Sequence, residues 1–389
     1  MRRVAVVGAG KAGTAAAVEA SARGAAVEVF EAEPLPEAGG LSRFLGSLEG
    51  SVSWGTRVIS VNGARAVSTS RSRGHYDAVV VSTGTKKRVR RFPGSSKPGV
   101  FLTGDAGPDE TPPGDRVVVQ GEGPEALALA AGLVIGGSKV TLVTGSPIGL
   151  RRLCAEGAGA LAGIASQHSL GLARGQVAAA LGSSRVQVVL LSTRELLPCD
   201  LLLALPSTVP NPPLLEASVG ERGAILVDSS QASDTPGLFA AGGSSAYSPG
   251  AFASGTPAGS APSPPRVAGA NAAGRHAHLT SPPPESFEFF GVPVSVAGLT
   301  HDEATWAGLD ASRTVTGEGP EVCSVLYERR SLRLLGLQLV GGSPGSHAAV
   351  ALASAQPQDV RALAELDQVQ STDISLVAEA ARQCIRRSA

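Results

Sequence analysis

The sequence predicts an α/β protein: two parallel-sheet units and a smaller α+β unit at the carboxyl end. Two observations carry the first part. Val4 to Val7 and Arg116 to Gln120 are short apolar runs that empty into glycine turns, each followed by a small-residue or leucine-rich helical stretch. A third carries the last part: Thr280-Ser-Pro-Pro-Pro-Glu285 reads as a stiff linker into about a hundred residues of strands and two amphipathic helices, near Ser346 to Ala355 and Ile374 to Arg386. The length agrees, since 389 residues at roughly 150 per domain predict two to three domains.

Composition removes several function classes. Lys and Arg total 33 against 33 Asp and Glu, which argues against a general nucleic-acid binder. With 43% hydrophobic and 17% charged residues and a mean hydropathy of +0.13, the chain has material for sizeable cores. Cys154, Cys199, Cys323 and Cys384 form no CxxC pair, so a disulfide scaffold, zinc ribbon or iron–sulfur site is not expected, and a reducing cytoplasm fits. The longest uncharged helical candidate, Ala126 to Ser138, is well short of the roughly 20 residues of a membrane span.

Val4 to Val7 leads into Gly8-Ala9-Gly10-Lys11-Ala12-Gly13, a GxGxxG turn between strand and helix. Gly8 permits the tight turn, Gly10 lets backbone approach a pyrophosphate, Gly13 lets helix pack on strand, and the helix N-terminus faces the phosphates. A second strand, Val27 to Phe30, ends in Glu31, a carboxylate placed to hold both hydroxyls of a ribose. Val52 to Ser68 alternates in the manner of antiparallel strands turning at Asn62-Gly63. Ala78 to Val81 is a further buried strand, ending in Ser82-Thr83-Gly84, a small-residue turn that brings backbone close to a ligand.

The pattern recurs as Gly121-Glu122-Gly123-Pro124-Glu125-Ala126, with a helix from Leu127 to Ile135 and a strand from Lys139 to Val143. Here the strand ends in Thr144 rather than an acid, so ribose recognition is not encoded at the expected place. Arg151 and Arg152 follow and are either partners for a 2′-phosphate or solvated surface charges. Both units are thus Rossmann-like dinucleotide-binding folds.

This order of elements resembles the pyridine nucleotide-disulfide oxidoreductases, flavoproteins in which the first fingerprint binds FAD and an inserted second one binds NAD(P)H. The resemblance runs along nearly the whole chain. It assigns Gly8, Gly10, Gly13, Glu31, Val58, Thr83, Gly84 and Gly242 to FAD, and Gly121, Gly123 and Ala126 to the nicotinamide nucleotide. The implied domains are 1–112 with 228–282 for FAD, 113–227 for NAD(P)H, and 286–389 for dimerisation. Leu197 to Leu203, Arg222 to Asp228 and Thr235 to Gly242 mark the return to the first domain, while Val296 to Ala304, Val325 to Gly341 and Val360 to Asp367 look like the dimerisation domain of coenzyme A disulfide reductases and NADH oxidases. A homodimer is implied.

The departures fall where that family does its chemistry. No cysteine occurs between Glu31 and the meander, so thiol–disulfide exchange there is excluded; Gly39-Gly40-Leu41-Ser42-Arg43 fills the gap, as backbone approaching the ligand or as an ordinary shortened loop. Gly243 stands where the family's Gly-Asp motif has its aspartate. Pro262, Pro264 and Pro265 remove N–H groups from the helix start that faces the flavin in the family, which predicts an altered flavin. Pro124 and Ala128 replace the aromatic gate and the acid of the nicotinamide site, which weakens the expectation of nicotinamide binding.

The expected function is therefore an FAD-dependent NAD(P)H oxidoreductase delivering electrons to oxygen, a quinone or a protein. The alternatives are a non-catalytic flavoprotein subunit and a flavin-free dinucleotide-binding interaction protein. His276 and His278 read as cations at the end of a helix rather than metal ligands, and no GxSxG, HExxH or P-loop occurs. Lys86, Lys87, Arg88, Arg90 and Arg91 form a basic stretch that either meets an anion or is a solvated crossover.

Overall fold

A computed structural model of the chain describes residues 1–34, 52–62, 66–70, 72–102, 115–146, 148, 150, 152–220, 222–248, 251, 263–279, 282–355, 359–365 and 375–388. Gly39 to Arg43, Gly63, Arg151 and Gly259 to Pro262 lie outside the described residues.

The first sheet is all parallel, in the order Leu238–Ala240, Ala78–Val81, Arg3–Val7, Ala26–Phe30, Val52–Ser53. Val4, Ala5, Val6 and Ala78 to Val81 are fully buried, as expected of strands covered on both faces. The chain leaves this sheet after Val81 and rejoins it more than 150 residues later at Leu238. Helix Lys11–Ala22 turns Ala16, Ala17 and Ala20 inward. These small residues admit helix Pro264–Ala272 so closely that a Cβ on Gly269 would lie 2.2 Å from the Ala16 carbonyl oxygen. The returning segment is thereby locked onto the first one.

A second parallel sheet runs Gly171–Arg174, Lys139–Thr144, Arg116–Gln120, Leu201–Ala204, Val100–Phe101. Helices Gly123–Ile135 and Ala155–Gln167 pack Leu127, Leu133, Leu161 and Ile164 into its core. Its edge strand, Val100–Phe101, pairs in parallel with Leu202 and Leu203. Five antiparallel strands, Glu285–Phe289, Val292–Gly298, Leu334–Val340, Val322–Glu328 and Ala311–Thr316, form the last sheet. One face carries Cys323, Val325, Tyr327 and Leu337 under helices Pro344–Ala355, Val360–Glu365 and Ser375–Ser388. The other sets Phe289, Val294, Val322 and Val340 against the helices of the second sheet.

Two expectations need correction. Val52–Ser53 is not part of the antiparallel series but pairs in parallel with Val29 and Phe30, whereas Val58–Asn62 and Ala66–Thr69 do form the hairpin. His276 and His278 do not end a helix: it stops at Ala272, where Gly274, at φ +89°, turns the chain and the Gly274 and Arg275 N–H groups return to Asn271 and Ala270.

Candidate functional site

The carboxyl ends of the first sheet's strands open on a cleft of about 680 Å³ lined by Gly8, Gly10, Glu31, Val58, Thr83 and Gly84 among others. It lies where ligands bind in open α/β sheets, beyond the strand ends. Gly8 holds φ +101°, and a Cβ there would meet the Ser82 carbonyl oxygen at 2.6 Å. A Cβ on Gly13 would lie 1.8 Å from the Gly8 oxygen, so the helix can start against the turn only because Gly13 has no side chain. Gly10 is the opposite case, with open space at the Cβ position, and helix Lys11–Ala22 carries no side-chain cap. Its first N–H groups are available to an anion.

Glu31 sets the other wall. Its Oε2 accepts the Ala9 N–H at 2.7 Å and its Oε1 the Glu33 N–H at 3.0 Å, which fixes the carboxylate while leaving each oxygen a further lone pair for a hydroxyl. Across the cleft, the buried Thr83 Oγ1 has no hydrogen-bond partner among the described residues. An orphaned hydroxyl at a cleft wall is the mark of a site built for a polar ligand. Phosphate oxygens at the helix start, a diol at Glu31 and a polar group at Thr83 are together the chemistry of a dinucleotide, and the residues fit one.

Gly242 follows strand Leu238–Ala240 at φ +73°, and a Cβ there would meet the Ala12 Cβ at 2.8 Å, so this glycine seals the returning strand against the first helix. At Gly243 a Cβ would run into Thr85 Cγ2 at 2.6 Å. The aspartate position of the family is thus filled from the side by a threonine. Ser244, fully buried, donates to the Val81 or Ala241 carbonyl oxygen and takes no part in the cleft. The start of helix Pro264–Ala272 is as the sequence predicts: prolines lead it, and Ser263 caps it without a side-chain hydrogen bond.

In the second sheet, Gly121 lies under the Ala126 Cβ, which an added Cβ would meet at 2.7 Å, and Gly123, at φ +81°, faces open space. Ala126 is 1% exposed and serves helix packing. The residue that sequence reasoning passed over is Glu122. Its Oε1 accepts the Gly145 N–H at 2.6 Å and its Oε2 the Ser146 hydroxyl at 2.8 Å, bridging the glycine turn to the end of strand Lys139–Thr144. Arg152 is not free for a 2′-phosphate: it donates to Glu285 at 2.9 Å and to the Gly298 oxygen at 2.6 Å, both on the last sheet.

None of the four cysteines lines the first cleft. Burial pushes the Cys199 thiol up to about 12, with Asp200 adding to the effect, and burial likewise raises Cys323 and Cys384. Thiols held protonated are poor nucleophiles. Among the described residues no group of three or more His, Cys, Asp and Glu could hold a metal ion, and no helix is long and apolar enough to cross a membrane.

The fold recurs in solved structures. A water-forming NADH oxidase from Lactobacillus brevis superposes at a TM-score of 0.73 with 18% identity, over 100% of this chain and 99% of that one. An NAD-dependent persulfide reductase from A. fulgidus gives 0.70 and 19% over 99% of this chain and 83% of that one. Putidaredoxin reductase, in its covalent complex with putidaredoxin, gives 0.67 and 19% over 98% and 99%. These identities establish a shared fold. No curated protein matches the chain. Residues 2–274 match the family described as pyridine nucleotide-disulphide oxidoreductase. With about two thirds of its length inside that match, the chain belongs to the pyridine nucleotide-disulphide oxidoreductase family.

Proposed function

We propose that this enzyme takes electrons from a reduced nicotinamide nucleotide and passes them through FAD to an acceptor other than a disulfide: oxygen, a quinone or a protein. The observation that carries the reading is the cleft at the first sheet, which combines the glycine turn, Glu31 and the orphaned Thr83 hydroxyl while holding no cysteine. Bound FAD supplies two-electron redox chemistry; the chain supplies the rest. Gly8 and Gly13 permit the tight turn and the close helix start that let backbone at Gly10 approach the pyrophosphate, Glu31 orients the adenosine ribose, Val58, Thr83 and Gly84 line the cleft, and Gly242 closes the returning strand. Gly121, Gly123 and Ala126 shape the turn for the nicotinamide nucleotide.

The reading divides the chain into an FAD domain, 1–112 with 228–282, an inserted nucleotide domain, 113–227, and a carboxyl-terminal dimerisation domain, 286–389. Both faces of the last sheet are covered within one chain, so a homodimer would form through its helices and rim, where Trp306 is 71% exposed. A protein acceptor is supported by the putidaredoxin complex among the similar structures. Four free thiols suit the reducing cytoplasm.

The test is the visible spectrum of the purified protein under nitrogen. Flavin absorption that bleaches on adding NADH or NADPH and returns on admitting air, a quinone or a carrier protein supports the proposal. Colour that neither nucleotide bleaches would instead fit a non-catalytic subunit.

A further inference from the structure

The two glycine turns of this chain can be read against each other by strand register. Val7 pairs with Phe30 in the first sheet and Gln120 with Val143 in the second. Ala9 and Glu122 are therefore the same turn position, Glu31 corresponds to Thr144, and Ala32 to Gly145. In the first unit a carboxylate on the strand end reaches back to the turn, where it accepts the Ala9 N–H at 2.7 Å. In the second, a carboxylate on the turn reaches forward to the strand end, accepting the Gly145 N–H at 2.6 Å and the Ser146 hydroxyl at 2.8 Å. The same gap between turn and strand end holds a carboxylate in both; only the side that supplies it is exchanged.

Thr144 cannot take the acid's place at the ribose. It is 5% exposed, and its hydroxyl donates to the Ser146 oxygen at 2.8 Å. Glu122 is exposed, so its oxygens remain open to further donors. Ribose hydroxyls can donate to that carboxylate, whereas a phosphate on the 2′-oxygen would set a dianion against it. Of the arginines around this end of the sheet, Arg152 is spent on Glu285 and Gly298, and Arg174, exposed on the next strand in register with Thr144, is set beside the strand end rather than on the glycine turn that carries Glu122.

We propose that Glu122 is the specificity-determining residue of the second unit: it receives the adenosine ribose hydroxyls of NADH and excludes NADPH. This rests on the reading that the second unit takes the nicotinamide nucleotide.

The experiment measures dissociation constants of NADH and NADPH by titration calorimetry under nitrogen on the FAD-loaded protein with its flavin already reduced, so that neither nucleotide can pass it a hydride, for the wild type and for Glu122→Gln and Glu122→Ala. Thermal unfolding of each variant confirms that it is folded. The wild type is expected to bind NADH at least about tenfold more tightly than NADPH, the scale of one charge-assisted interaction. In Glu122→Gln the charge is lost while an acceptor oxygen remains, so NADPH binding tightens more than NADH binding weakens and the preference falls towards one. In Glu122→Ala, NADH binding itself weakens about tenfold. A wild type that binds the two nucleotides equally, or variants that keep the wild-type ratio, overturns the role of Glu122 and leaves the nicotinamide reading standing. A wild type that binds neither nucleotide removes that reading, and this inference with it.

Discussion

Glu31 and Ala9, 22 positions apart, are joined by a 2.7 Å hydrogen bond from the Ala9 N–H to Glu31 Oε2. The acid proposed to meet the ribose also braces the turn proposed to meet the pyrophosphate. Glu31→Ala should therefore act twice. Without ligand it should cost about 1 kcal/mol of stability, the net worth of one such bond. FAD retention should fall by about 10- to 100-fold, since the ribose loses its charged acceptor. Flavin absorbance per protein after gel filtration reads the second effect. Wild-type retention in a folded Glu31→Ala protein would remove Glu31 from the site.

The glycines of the turn separate fold from ligand. A Cβ on Gly13 would stand 1.8 Å from the Gly8 oxygen, a backbone atom that cannot move without opening the turn. Gly13→Ala should destabilise the protein by about 3 kcal/mol or more, at the upper end of overpacking costs. At Gly10, with open space around the Cβ position, Gly10→Ala should leave the unfolding midpoint within a degree or two and weaken only FAD binding. Thermal unfolding with and without added FAD distinguishes the two; equal loss of stability in both variants would contradict the geometry.

Much of this was legible locally. Val4 to Val7 and Ala78 to Val81 are apolar without alternation, the signature of strands covered on both faces, and the turns that follow announce their glycines. What escaped depends on partners far away in the chain. Val52–Ser53 is too short to show a period, and its parallel pairing is decided by the strand Ala26–Phe30. Gly269 looks like any helix glycine until Ala16, 253 positions earlier, is laid against it. Glu122 occupies a variable position of a GxGxxG pattern, and nothing local says that its carboxylate finds Gly145 on the next strand. Gly243 was visible as a departure, but that Thr85 fills its space was not.

That last contact yields a double-variant test. Gly243→Asp alone would drive its Cβ into Thr85 Cγ2 at 2.6 Å and should lower stability by about 1–2 kcal/mol. Gly243→Asp with Thr85→Gly removes the colliding group and should recover most of the loss at this contact. Unfolding of the wild type, Gly243→Asp, Thr85→Gly and the double variant in denaturant gives the coupling directly. Additive effects would mean that Thr85 does not fill the aspartate's place.

The thiols should react unequally. Burial holds Cys199, Cys323 and Cys384 protonated well above neutral pH, while Cys154 is partly exposed, its sulfur accepting the Gly157 N–H at 3.4 Å. An aromatic disulfide reagent at about pH 8 should therefore modify one thiol per native chain and four after unfolding. Flavin reduction by NADH should survive Cys154→Ser unchanged, because no cysteine lines the cleft. Two or more fast-reacting thiols in the native protein would overturn the burial argument.

Asp200 supplies a pH dependence whose sign is fixed by its partner. The Arg116 side chain donates to both its oxygens, at 2.7 and 2.9 Å, and these hydrogen bonds lower its carboxyl to about 2. A carboxylate depressed in the folded state stabilises that state above its unfolded value, about 3.9, and the contribution disappears as pH falls through the folded value. The stabilisation is thus complete above about pH 4 and lost towards about pH 2. Asp200 is only slightly buried and the pair is open to solvent, so salt should screen part of the effect. Asp200→Asn should flatten the decline of the unfolding midpoint between about pH 4 and pH 2 and leave its slope near neutral pH unchanged. An unaltered acid limb in the variant would show that Arg116 does not hold this carboxylate in solution.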